Sequence, residues 1–76
     1  MQKPKEVLDS YYLEARCQLL EIAAMLDRYD RARDGDTVPS HDDRIDRMYE
    51  SLALLSQRET ATDRSERLLN LFSDPE

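Results

Sequence analysis

Three features of the sequence predict an all-α protein built as a long antiparallel helical hairpin. The 76 residues include one glycine and three prolines, too few for a turn-rich fold. Charged residues make up 37% of the chain, a composition that suits long solvated helices better than sheets. The apolar positions Leu8, Tyr12, Ala15, Leu19, Ile22, Leu26 and Tyr29 follow one another at alternating spacings of four and three. That spacing is the seam of an amphipathic helix lying nearly parallel or antiparallel to a partner.

The first helix is expected over about residues 5–33. Pro4 suits its first turn, where a missing N–H costs nothing. Arg28, Arg31 and Arg33 suit the negative end of the helix, and Gly35 can close it in the left-handed conformation. A loop follows over 34–40, where Pro39 disfavours helix at Val38. Ser40 with Asp43 has the form of a capping box, so a second helix is expected to start at about residue 41. Ile45, Met48, Leu52 and Leu55 give it a seam of its own. A short loop between two such helices favours antiparallel neighbours.

The segment "SQRETATDRSER", residues 56–67, is nearly devoid of apolar residues. No glycine or proline interrupts 40–74, which favours one continuous helix over about 41–73, matching the first in length. The alternative is a three-helix bundle with a break near 56–62, in which Thr60 or Thr62 caps a third helix ending in "LLNLF". Both are all-α, and either way residues 1–76 make one helical domain.

A chain of this length buries only about 60% of its unfolded surface, so a single copy has a marginal core. One cysteine, Cys17, and one histidine, His41, supply neither a disulfide nor a structural zinc site within the chain, which leaves oligomerisation as the source of extra stability. The first helix carries the surface for it. A second apolar stripe, Leu13, Cys17, Leu20 and Ala24, runs a third of a turn or more from the seam. One partner helix covers one stripe, and monomers avoid exposing the other. A two-fold dimer of hairpins, forming a four-helix bundle, lets this patch cover its own copy. Leu68, Leu71 and Phe72, in the apolar end "LLNLFSDPE", are expected to join the interface or to dock a second protein.

The net charge of −6 works against binding to nucleic-acid phosphate or an anionic membrane. No apolar run approaches the roughly 20 residues needed to cross a bilayer, and "MQKPKEVLDS" lacks the apolar stretch of a signal peptide. The lone cysteine suits a reducing compartment, so a cytoplasmic protein is expected.

No constellation in the sequence carries catalysis or binds a cofactor. Asp27 with Arg31, Asp43 with Arg47 and Asp63 with Arg67 are acid-before-base pairs four apart, each worth about 0.2–0.5 kcal/mol as a solvated helix face. The acidic loop "DGDTVPSHDD" lacks the twelve-residue calcium pattern and its closing glutamate. Glu14 and Glu21 share a face two turns apart. They define the competing reading, a carboxylate-lined metal or small-molecule site inside the bundle, but the Glu-x-x-His element of di-iron bundles is missing because residue 38 is valine. A nucleic-acid role for Arg58, Arg64 and Arg67 is opposed by the acids around them.

"LEARCQLLEIAAMLDRYDRA", residues 13–32, resembles a segment of small bacterial helical proteins of unknown function, and "LLNLFSDPE" is similar to their ends. The resemblance implies helices and brings no activity. The function expected from the sequence is therefore a noncatalytic protein-protein interaction module acting as a homo-oligomeric helical bundle.

Overall fold

The computed structural model describes residues 1–35 and 42–73, and the helices among them are α1 (Pro4–Asp34), α2 (Asp43–Leu55) and α3 (Arg64–Phe72). No strand occurs among the described residues. The chain divides into two units, Met1–Pro39 and Ser40–Glu76.

The first unit is one rod. Alpha1 runs for 31 residues with Pro4 in its opening turn, within a residue of the span expected at each end. At its start the Glu6 carboxylate accepts the Lys3 backbone N–H at 2.7 Å, which satisfies a donor and places negative charge at the positive pole of the helix. Its other end departs from expectation. Gly35 stands at φ −89°, in right-handed rather than left-handed backbone, and its N–H donates to the Ala32 carbonyl at 3.2 Å. The glycine is therefore not required by its backbone angle. A Cβ at this position would meet the Ala32 and Arg31 carbonyl oxygens at 3.8 and 3.9 Å, ordinary contact distances. Gly35→Ala should thus stabilise the end of α1 by about 0.4–1 kcal/mol, because alanine loses less backbone freedom on folding. Thermal unfolding of the two proteins checks this, and a fall in midpoint would show that residue 35 needs a left-handed angle.

The second unit corrects the expectation of one helix over 41–73. Residues 56–63 leave the helical path, so the long second rod is instead two short helices, as in the three-helix alternative. Each chain thus carries three helices rather than the two rods of the expected hairpin. The start of α2 also shifts. Ser40 lies outside the described residues, and the residue that caps α2 is Asp42, whose carboxylate accepts the Arg44 N–H at 2.9 Å. The Arg44 guanidinium folds back onto the same carboxylate, with Nη2 to Oδ2 at 2.6 Å and Nε to Oδ1 at 3.0 Å. This bidentate clamp raises the Arg44 pKa, first through the hydrogen bond and then through the charge of Asp42.

Alpha2 stops where its apolar residues run out. The Ser56 hydroxyl donates to the Ala53 carbonyl at 2.7 Å, and the Ser56 N–H returns to Leu52 at 3.0 Å, so the last carbonyls are satisfied locally. The turn back is made without glycine. Thr62 takes φ 62°, a left-handed angle that a β-branched residue adopts only at a cost of about 1–2 kcal/mol. Its N–H reaches the Thr60 hydroxyl oxygen at 3.3 Å and its own hydroxyl donates to the Ala61 carbonyl.

The corner is held by one side chain. Arg64, the first residue of α3, donates from Nη2 to the Gln57 carbonyl at 2.9 Å and to the Arg58 carbonyl at 3.0 Å. Alpha2 and α3 pack on each other. In α2 the apolar seam residues Ile45, Met48 and Leu52 are half-buried, and so are Leu68 and Leu71 in α3, whereas Leu55, the last of the α2 seam, is exposed. Among the described residues only Ser51 is buried, and its hydroxyl donates to the Arg47 carbonyl at 2.7 Å. No apolar side chain among them is buried.

Candidate interaction surface

Helix geometry places the two stripes of α1 along different faces of one cylinder, and both are open. On the seam, Leu8, Tyr12 and Leu19 are 60%, 63% and 60% exposed. On the second stripe, Leu13 is 69% and Leu20 55% exposed, and Cys17 and Ala24 are exposed beside them. Ile22 and Leu26 are half-buried, yet no residue of α1 is buried. A shallow hollow opens on the side of the rod where seam and stripe approach each other. Tyr12, Leu19 and Leu20 wall it, and the small Ala15 and Ala23 form its floor next to the aliphatic stem of Arg16. Large residues around two alanines eight positions apart make the kind of hole into which a side chain of another helix inserts.

The α3 residues expected at the interface divide. Leu68 and Leu71 are half-buried, whereas Phe72 remains 49% exposed. Leu69, in the same apolar end, is 69% exposed.

The charges of α1 do not pair as the four-residue spacing implied. Asp27 forms no ion pair with Arg31, nor Asp63 with Arg67, among the described residues. The pairs present on α1 are Lys5 with Asp9 at 3.0 Å, and Arg33 with Asp30 at 3.8 Å and with Asp34 at 3.9 Å, all on highly exposed side chains. Exposed pairs of this kind contribute little. Glu14, Arg16, Glu21 and Arg28, which border the second stripe, have no ionic partner among the described residues. They are charged groups free to meet another chain.

The other candidates find less support. Among the described residues no group of three or more His, Cys, Asp and Glu side chains is placed to hold a metal ion. The acidic loop lies largely outside the described residues, and His41 with it. Arg64, one of the arginines considered for phosphate binding, uses its Nη2 on the carbonyls of its own corner. Asp63 heads α3 with one carboxylate oxygen buried and without a hydrogen-bond partner. Its negative charge there is favoured by the helix dipole. No described helix is long and apolar enough to cross a membrane.

Comparison of the chain with protein-family models, with curated proteins and with solved structures found no match.

Proposed function

We propose that this protein is a noncatalytic interaction module that works as a homodimer, with α1 as the element through which two copies associate. One observation carries the proposal: the chain buries no apolar side chain among its described residues, while Leu13 and Leu20 of α1 stand 69% and 55% exposed. Covering a leucine side chain fully contributes about 1.5–3 kcal/mol. Leu13 and Leu20 from two copies therefore supply about 6–12 kcal/mol, a range that overlaps the cost of about 4–15 kcal/mol for joining two molecules. The two terms are of similar size, so these leucines alone do not set the strength of the dimer, and folding and association are linked by mass action. Phe72 and Leu69 offer a further apolar surface on the second unit, suited to a second protein that the dimer presents or holds.

Cys17 reports on this directly, because it lies in the stripe and is exposed in the single chain. Its alkylation rate, measured from nanomolar to about 100 micromolar protein, should fall severalfold as the dimer forms, since the copy covers the sulfur. A rate that stays constant over that range would remove the stripe from any interface between copies.

A further inference from the structure

The orientation of the two copies is written in the charges that border the stripe. This inference rests on the dimer proposed above and adds its direction and register. Two rows of residues spaced by seven run along the edges of the Leu13–Cys17–Leu20–Ala24 stripe: Glu14, Glu21 and Arg28 on one edge, Arg16, Ala23 and Asp30 on the other. Each row begins and ends with opposite charges fourteen residues apart. When two antiparallel helices pair about a two-fold axis, each edge of one faces the same edge of the other, and the residue of each edge nearest the axis meets its own copy.

We propose that α1 of two copies pair antiparallel about an axis level with Ile22. In that register Glu14 of each copy faces Arg28 of the other, and Arg16 of each faces Asp30 of the other, four attractive pairs in all. In the stripe itself Leu20 meets Ala24 of the second copy and Ala24 meets its Leu20, large against small on both sides of the axis. Ala23 meets Ala23, so the rods approach closely there. Glu21 meets Glu21 beside the axis, a repulsion outnumbered by the four attractive pairs; further along the stripe Leu13 lies level with Arg31 of the second copy, whose aliphatic stem can cover it, and Cys17 lies level with Asp27, which sets a charge against the sulfur.

A parallel pairing on the same stripe is poorer by the same geometry. It sets Arg16 near Glu21 of the copy but also Asp9 near Glu14, and it stacks Asp27 on Asp27 and Arg31 on Arg31 along the line of the stripe. The free state of the side chains agrees with the antiparallel assignment. Glu14, Arg16 and Arg28 have no ionic partner within the described chain, and Asp30 has only the 3.8 Å contact to Arg33.

Charge reversal tests this with little disturbance to α1 itself, because the positions three and four residues from Glu14 are Ser10, Tyr11, Cys17 and Gln18, none of them charged. Dimer dissociation constants of the full chain are measured by sedimentation equilibrium at low salt for wild type, Glu14→Arg, Arg28→Glu and the double variant. Each single reversal should weaken the dimer about tenfold, as two exposed attractions become repulsions, and the double variant should return to within about twofold of wild type. Circular dichroism confirms that the variants keep their helix. If wild type dimerises and Glu14→Arg tightens it or leaves it unchanged, or if the double variant does not recover, the antiparallel register is wrong while the dimer stands. If wild type stays monomeric to millimolar concentration, the dimer fails and the register with it.

Discussion

Replacing Leu13 and Leu20 together by aspartate should abolish association and leave a chain that is monomeric at every accessible concentration. Both side chains are more than half exposed in the single chain, so the substitutions disturb no internal contact of α1 that holds a buried apolar group. They act on what a second molecule would cover. Four leucines are lost from the dimer and four carboxylates take their place on a surface that must be dried. At about 1.5 kcal/mol or more per leucine, the association constant should fall by at least about 10⁴-fold. The same change costs the isolated helix little, since aspartate for leucine lowers helix propensity by well under about 1 kcal/mol per position. If the double variant retained wild-type association, the stripe would have no part in holding copies together.

The second large effect belongs to the corner between α2 and α3. Arg64→Ala should detach α3 from α2. Alpha3 has only nine residues, too few to persist as an isolated helix, so it depends on what ties it to its neighbour. Two charge-assisted hydrogen bonds from Arg64 to the Gln57 and Arg58 carbonyls are that tie, and the helix offers little else beyond half-buried Leu68 and Leu71. A hydrogen bond from a charged group contributes about 1.5–3 kcal/mol, so losing both should destabilise the second unit by about 2–4 kcal/mol, discounted for their exposure. Amide hydrogen exchange across 64–72 should accelerate by about one and a half to three orders of magnitude while exchange in the middle of α1 is unchanged. Equal protection in variant and wild type would show that leucine packing alone holds the corner.

How far these features were legible from the residues follows from the kind of signal each one leaves. Alpha1 was readable to within a residue at each end because seven seam positions repeat without a miss and Pro4 marks its start. The break after Leu55 was visible only as an alternative. Its cause is a loss of apolar residues over 56–62 rather than a breaker, and Thr62 makes the turn with a left-handed angle that sequence reasoning assigns to glycine. The same rule misled in the opposite sense at Gly35, where the only glycine sits in ordinary right-handed backbone.

The candidate surface was partly legible. The second stripe stands open on α1, and the exposure of Leu13 and Leu20 is a property that hydrophobic spacing alone could flag. The anchoring role of Arg64 was not readable, because an arginine reaching carbonyls six and seven residues back leaves no periodic trace. Nor did acid-before-base spacing identify the ion pairs. Asp27 and Arg31 stay apart, while Lys5 and Asp9 pair in the reverse order, as expected where long solvated side chains choose among several weak contacts.

In the proposed dimer, a chain with no buried apolar residue among those described, and with two open stripes on one long helix, covers them with a second copy of itself. The mass of the wild-type chain by sedimentation equilibrium across a thousandfold range of concentration tests it most directly. At tens of micromolar the measured mass should lie near twice the 8.9 kDa of one chain, falling toward one chain on dilution. A mass that stays at 8.9 kDa throughout, with helix content undiminished, would contradict the claim.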